Sequence, residues 1–114
     1  MGQEQRRFER IPVSFNVQCR RSGALAESWQ QVATIDFSAG GLGFQSDEPF
    51  EVGETLDVRI HLESFPEPLA IRGCIVRTYP LPVGARGCAL EFLEMTPDQQ
   101  ARLDELVQFL RKRS

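Results

Sequence analysis

Histidine and cysteine, which build many catalytic and metal sites, are scarce in this chain of 114 residues. It holds one histidine, His61, and three cysteines, at positions 19, 74 and 88. Three scattered thiols without Cys-x-x-Cys spacing argue against a disulfide framework and against a zinc site. We expect each cysteine to behave as a small buried hydrophobic residue and His61 to be solvated.

Long apolar runs are also absent. No stretch approaches the roughly 18 apolar residues that a membrane span requires, and residues 1–10 are too polar for a signal peptide. No serine stands in a nucleophile signature, and no carboxylates are paired for acid–base or metal chemistry. We therefore expect one cytoplasmic domain over residues 1–114, with no membrane insertion, no catalysis, no metal and no cofactor.

Charge is unevenly distributed along the chain, whose net charge is −3. Residues 1–21 hold five arginines against two glutamates, whereas the remainder has a net charge of −6. An acidic protein is a poor binder of long nucleic acid, so we expect no DNA or RNA partner. A local arginine cluster is better suited to a small anion.

Apolar residues alternate with polar ones along most of the chain, which is typical of strands with one buried face. The first such segment runs from Ile11 to Cys19. In the second, the odd-numbered apolar residues from Trp29 to Phe37 are expected to face the core. Glycine and proline turn signals separate the segments. The four further predicted strands are centred on apolar residues at 42–44, 56–62, 69–75 and 88–92.

The C-terminal segment changes to helical spacing. Thr96 is a predicted N-cap, followed by Pro97 in the first turn and Gln99 as its capping-box partner. Apolar residues then recur on one face at 103, 106, 107 and 110. The sequence therefore predicts an all-β dominated fold: a six-stranded antiparallel β-barrel over residues 11–94 with one C-terminal α-helix over 96–112.

Three arginines immediately precede the first strand: Arg6, Arg7 and Arg10. The arginine fork binds phosphate in bidentate fashion and pairs with guanine O6 and N7. Residues 1–10 are interpreted as a flexible arm that can close over a ligand. Taken alone, such a segment is more often a solvated charged terminus.

A second polar segment, Asp36 to Gly41, ends the second strand. If Phe37 points inward, Asp36 and Ser38 share the solvent face, where they can accept hydrogen bonds from a guanine edge. Gly40 and Gly41 allow the backbone to turn and a ligand to approach it. A hairpin turn alone would also explain these residues. Because neighbouring strands bring the two segments together, the pair favours a ligand with both guanine and phosphate.

Arg-x-x-x-Arg at residues 6–10 and Asp-x-Ser-x-x-Gly at residues 36–41 resemble the two motifs of the PilZ domain family, bacterial receptors for cyclic di-GMP. The segment 87–92 and the helix after it are similar to the family's ending. The resemblance implies a six-stranded antiparallel barrel. It also implies that Arg6 and Arg10 bind phosphate and guanine, with Arg7 assisting. Asp36 and Ser38 are expected to bind the guanine edge, and Gly41 to keep the backbone clear of the ligand. Arg77 and Tyr79 are weaker candidates for stacking on the base.

The resemblance further implies an effector whose arm becomes ordered when cyclic di-GMP binds and which signals to a protein partner. Motility, surface polysaccharide, biofilm formation and virulence are the implied processes. The resemblance leaves open whether the domain binds one ligand or two, and whether it is a monomer or a homodimer. One alternative is a PilZ-like adaptor that binds only protein. Another is a barrel for single-stranded nucleic acid, which is disfavoured because Phe15, Phe37, Phe44 and Phe92 occupy apolar phases.

Overall fold

The computed structural model describes residues 10–24, 28–61, 66–82 and 84–113. The predicted fold, a six-stranded antiparallel barrel with one C-terminal helix, is confirmed, with one strand divided in two. The elements in chain order are β1 (Ile11–Pro12), β2 (Asn16–Arg21), β3 (Gln30–Phe37), β4 (Gly41–Ser46), β5 (Thr55–Ile60), β6 (Leu69–Pro80), β7 (Arg86–Phe92) and α1 (Pro97–Arg113).

Pairing between the strands closes the barrel. The order around it is β3, β2, β5, β6, β7 and β4, and β4 pairs again with β3. β1 pairs with the far end of β3, in line with β2. Closure satisfies the backbone groups that an open sheet leaves at its edges. Within the described residues, no helix is both long and apolar enough to cross a bilayer.

The first strand, predicted as continuous over residues 11–19, is interrupted at residues 13–15. The buried Thr34 hydroxyl fills the interruption. It lies 3.0 Å from the Val13 carbonyl oxygen and 3.1 Å from that of Phe15, and it accepts a hydrogen bond from the Phe15 amide at 3.0 Å. Two backbone hydrogen bonds, from the Val13 amide to the Ile35 carbonyl and from the Thr34 amide to the Phe15 carbonyl, also cross the interruption, so β1 and β2 stay on a single line along β3.

β3 changes its buried phase part of the way along. Val32 and Thr34 are buried, whereas the apolar residues at 29, 33 and 35 are only half-buried. The prediction that the odd-numbered residues face the core was therefore wrong before Phe37. A β-bulge between Thr34 and Asp36 inserts an extra residue, which returns Phe37 to the core.

Helix α1 covers part of the barrel with the apolar face that its spacing predicts. Leu103, Leu106, Val107 and Leu110 are all buried. The predicted capping box is present: the Gln99 amide donates to the Thr96 hydroxyl at 3.1 Å, and the Thr96 amide donates to Gln99 Oε1 at 2.9 Å. The Gln99 side-chain amide also donates to the Ala70 carbonyl at 2.7 Å, which ties the helix start to β6.

The cysteines divide into two kinds. Cys19 and Cys88 are buried, and burial raises the pKa of both thiols, that of Cys19 to about 12. Cys74 is only half-buried, so the expectation of three buried cysteines was wrong there. The reason is its phase, because Gly73 and Ile75 point inward on either side of it and alternation turns Cys74 outward.

Candidate functional site

A cleft of about 430 Å³ opens on the outside of the barrel over β4 and β7, between β3 and β6. We refer to it as the β4–β7 cleft. It is lined by seven of the residues that the sequence singled out, namely Arg10, Asp36, Ser38, Gly40, Gly41, Arg77 and Tyr79. Arg6 and Arg7 lie outside the described residues. The structure therefore brings together, at one site, the described part of both motifs and the two weaker candidates.

Small residues form the floor of this cleft. Gly41 and Gly43 on β4 lie beside Glu91 and Ala89 on β7, with which they pair directly. Three of these four positions carry at most a methyl group, so a planar group can lie close to the two strands. Gly43, Ala89 and Glu91 were not singled out from the sequence, but the β4–β7 register identifies them as soon as Gly41 is placed.

The two floor glycines are required for different reasons. A Cβ atom on Gly41 would stand 2.1 Å from the Leu90 carbonyl oxygen, so the close approach of β4 and β7 already demands glycine there. A Cβ atom on Gly43 would meet only the end of a side chain, Asp36 Oδ1, at 2.9 Å. Gly41 therefore has a structural role that is independent of any ligand, and Gly43 shapes the position of Asp36.

Asp36 and Arg10 form one wall of the cleft. Arg10 Nη2 lies 2.6 Å from Asp36 Oδ1, and the same oxygen accepts a hydrogen bond from the Gly43 amide at 3.0 Å. The Arg10 side chain is 49% exposed and that of Asp36 is 29% exposed. Within the described residues, both hydrogen bonds to the Asp36 carboxylate go to Oδ1, which leaves Oδ2 as an acceptor for a ligand.

Ser38 differs from its predicted orientation. The sequence placed it on the solvent face with Asp36, but it is only 1% exposed. Its hydroxyl donates to the Gly41 carbonyl at 3.3 Å and accepts from the Gly40 amide at 3.1 Å. Because β3 ends at Phe37, strand alternation no longer sets the direction of residue 38. Ser38 therefore holds the turn that leads into the cleft floor.

Two β-bulges determine which side chains reach the cleft. On β6, alternation from the buried Ile75 would turn Arg77 and Tyr79 inward. A bulge between Ile75 and Arg77 makes Val76 an extra residue, so Arg77 and Tyr79 lie on the outside. The bulge on β3 acts in the same way on Asp36. Bulges commonly re-aim side chains at functional sites, and here one lies on each side of the cleft.

Arg77 and Tyr79 form the opposite wall. The Arg77 guanidinium carbon lies 5.1 Å from the centre of the Tyr79 ring. That ring covers Gly87, its partner on β7, since a Cβ atom there would be 2.2 Å from ring atom Cε2. The absence of a side chain at Gly87 thus leaves room for the Tyr79 ring, which in turn presents an aromatic surface to Arg77.

The charges that line the cleft are balanced. Arg10 and Arg77 are the described cations, and Asp36 and Glu91 are the carboxylates. Such a site can bind a ligand with one anionic part and one part that donates hydrogen bonds. Among the residues that the structure describes, no three histidine, cysteine or acidic side chains are grouped to hold a metal ion.

Comparison with known proteins identifies the fold. The PilZ family model, described as PilZ domain, matches residues 4–109. The inhibitor of motility MotI/DgrA of Bacillus subtilis is 23% identical with a TM-score of 0.72, and the match covers 95% of this chain and 50% of that one. The chain thus spans half the length of the Bacillus protein.

Two further structures match over nearly their whole length. The PilZ domain of CeSA, from a cellulose-synthesizing bacterium, is 21% identical with a TM-score of 0.68, covering 90% of this chain and 98% of that one. The PilZ domain of YcgR from Escherichia coli, solved with c-di-GMP, is 17% identical with a TM-score of 0.71, covering 96% and 93%. Among curated protein sequences, none matches this chain. Because the family model spans nearly all of the sequence and the barrel agrees with it, this chain belongs to the PilZ domain family.

Proposed function

We propose that this PilZ domain is a receptor for cyclic di-GMP, which binds in the β4–β7 cleft. One observation carries the proposal: Arg10, the described residues of the Asp36–Gly41 motif and two outward-turned β6 residues surround a floor that is nearly free of side chains. The YcgR PilZ domain, which has the same fold, was solved with c-di-GMP. The proposed activity is binding and signalling, not catalysis.

Arg10 is the proposed phosphate ligand, with Arg6 and Arg7 adding charge from the preceding segment. Asp36 holds one of its terminal nitrogens at 2.6 Å, so the guanidinium is oriented while its exposed part stays open to an anion. A charge-assisted hydrogen bond of this kind contributes about 1.5–3 kcal/mol. Asp36 therefore acts on the ligand twice, by positioning Arg10 and through its own second oxygen.

The guanine base is proposed to lie on the floor of Gly41, Gly43 and Ala89. Its N1–H and amino group are donors, which suit the acceptor Asp36 Oδ2. Arg77, held against the Tyr79 ring, is exposed and can stack on the other face of the base. Ser38 contributes by fixing the turn between β3 and β4, where its hydroxyl is already bonded.

Signalling is proposed to follow from the arm. Arg10 lies at the cleft wall, and residues 1–9 continue directly from it. A ligand that engages Arg6, Arg7 and Arg10 together would hold this arm over the barrel and change the surface that a protein partner meets. Retention of the same backbone relaxation rates in residues 1–9 with and without ligand, by NMR, would contradict this step.

The test is a calorimetric titration with cyclic di-GMP of a sample freed of co-purified nucleotide. Arg10→Ala and Arg77→Ala are each expected to weaken binding about tenfold or more. Arg72→Ala is a matched control, because Arg72 is also an exposed arginine of β6 but does not line this cleft. An absence of binding by the folded wild-type domain would favour the alternative, an adaptor in which the Arg10–Asp36 pair serves only stability.

Four phenylalanines of the predicted strands give no support to the alternative of a single-stranded nucleic-acid barrel. Such barrels stack bases on exposed aromatic side chains. Phe37, Phe44 and Phe92 are buried, and Phe15 packs against Phe37 with ring centres 5.8 Å apart. These phenylalanines therefore serve the core, which favours the small-ligand proposal.

A further inference from the structure

A second cleft, of about 620 Å³, lies on the outer face of β2, β5 and β6. The β4–β7 cleft shares none of its lining residues. We define the Trp29 face as the indole of Trp29 with the four charged side chains around it: Arg20, Asp57, Arg59 and Arg72. We propose that this face binds an acidic peptide segment of a partner protein, whether or not nucleotide is bound at the other cleft.

The three arginines of the Trp29 face are all anchored by the same atom, Nε. Arg20 Nε donates to Asp57 Oδ2 at 3.3 Å, and Arg72 Nε donates to Asp57 Oδ1 at 3.4 Å. Arg59 Nε donates to Gln18 Oε1 at 3.0 Å. Within the described part of the chain, their terminal nitrogens form no hydrogen bonds. A guanidinium held in this way presents two oriented donors, which match the two oxygens of a carboxylate.

Trp29 gives the face its apolar part. It was predicted to point into the core, but it is half-buried on the outside, because the buried residues of β3 before the bulge are the even-numbered Val32 and Thr34. Its ring centre lies 4.4 Å from the guanidinium carbon of Arg20 and 4.1 Å from that of Arg59. These cation–π contacts order both arginines. The cleft also exposes Leu93, at 38%, so an apolar side chain of a ligand has a surface to contact.

The charge of the Trp29 face indicates which kind of ligand it would bind. Glu94 also lines the cleft, so three arginines stand there beside two carboxylates, although the protein as a whole carries a net charge of −3. Partial burial raises the pKa of Asp57, but hydrogen bonds from Ser22, Arg20 and Arg72 together hold it below its ordinary value. Asp57 is therefore ionised at neutral pH and keeps two of the arginines in place. A partner with complementary negative charge is favoured on such a surface.

A peptide fits this face better than a polyphosphate. Asp57 and Glu94 both line the cleft and would repel a dense row of phosphates. An acidic peptide can place its carboxylates on the terminal arginine nitrogens and an apolar residue against Trp29 and Leu93. The side chains of the Trp29 face therefore favour a peptide in which an apolar residue is flanked by acidic ones.

The single tryptophan of the chain makes the test direct. The indole N–H signal of Trp29 in an NMR titration reports only this face. The probe is a synthetic peptide with one leucine between two pairs of glutamates, and its lysine counterpart is the charge control. We expect a saturable shift of the Trp29 signal with the acidic peptide, weakened about threefold to tenfold by Arg72→Ala, and no saturable shift with the lysine peptide.

Arg77→Ala is the matched control, because it removes an arginine from the same strand at the other cleft. We expect this variant to leave peptide binding unchanged and to weaken the binding of cyclic di-GMP. Failure of either proposal can therefore be recognised separately. No saturable shift with the acidic peptide, or equal weakening by both variants, would overturn the docking site. A shift of the same size with inorganic phosphate alone would show a small-anion site and overturn the peptide proposal as well.

Discussion

Replacement of Gly41 by alanine separates two explanations of a motif glycine. If Gly41 serves only to let a ligand approach, Gly41→Ala should fold normally and lose binding. The structure predicts instead that the variant loses stability, because the new Cβ would stand 2.1 Å from the Leu90 carbonyl oxygen on β7. The obstacle is backbone, which cannot rotate away. We therefore expect Gly41→Ala to destabilise the barrel itself.

The size of the effect follows from the geometry. An ordinary contact begins at 3.4 Å, so β4 and β7 would have to separate by roughly 1.3 Å at this point. Overpacking of this kind costs about 1–3 kcal/mol. The neighbouring Phe92 amide bond to the Gly40 carbonyl, at 2.9 Å, would be strained or lost, at about 0.5–1.5 kcal/mol for each bond. The expected loss is about 1.5–4.5 kcal/mol, a substantial part of the stability of a typical domain.

Urea denaturation gives the free energy of unfolding, and a thermal melt should show Tm lower by roughly 5–20 °C. Gly43→Ala is the matched control on the same strand. Its Cβ meets only Asp36 Oδ1, a side-chain end that can rotate, so we expect a change of about 1 kcal/mol or less. Binding should still weaken, because Asp36 is displaced. A Gly41→Ala protein with wild-type Tm would refute the reasoning.

Two further predictions concern the core. Thr34→Val should lower the free energy of unfolding by about 1–3 kcal/mol, because the Phe15 amide loses its acceptor, and urea denaturation measures it; a neutral result would mean that water replaces the hydroxyl. Burial holds the pKa of Cys19 at about 12 in the folded state, whereas an unfolded thiol titrates near pH ~8.5. The contribution of the Cys19 thiol to the free energy of unfolding is therefore fully present below that pH. It falls by roughly 1 kcal/mol per pH unit as pH rises toward 12. Cys19→Ala should flatten this alkaline slope, and an unchanged slope would contradict the assignment.

The strand pattern was predictable where one face is continuously buried. In β5, Leu56, Val58 and Ile60 are buried in strict alternation, as the sequence indicates. Prediction failed where an extra residue shifts the phase, as at the Thr34–Asp36 bulge, because the hydrophobic pattern does not show which of two neighbouring residues is left unpaired. The buried phase of β3 was consequently assigned one residue out of step.

Other differences come from contacts across long sequence separations. Phe50 lies in a segment that looks like a polar loop, yet it is 1% exposed and packs on Phe44 with ring centres 5.9 Å apart. Arg21 covers it from β2, 4.5 Å from the ring centre, and bonds to Glu48 and Glu54 on either side of it in sequence. Nothing local marks Phe50 as core, because its partners are contributed by other strands.

The sequence by itself determined the number of strands, the C-terminal helix with its capping box, and the two motifs, because alternation, helical spacing and fixed residue intervals are local properties. Only the tertiary structure decided which side chains share a surface. Closure of the barrel places β3 and β6 on either side of β4 and β7, and the two bulges turn Asp36, Arg77 and Tyr79 outward. The same closure puts Trp29 among arginines of β2 and β5. Register and bulges are set by pairing between distant segments, and the sequence of one strand does not show which strand it will pair with.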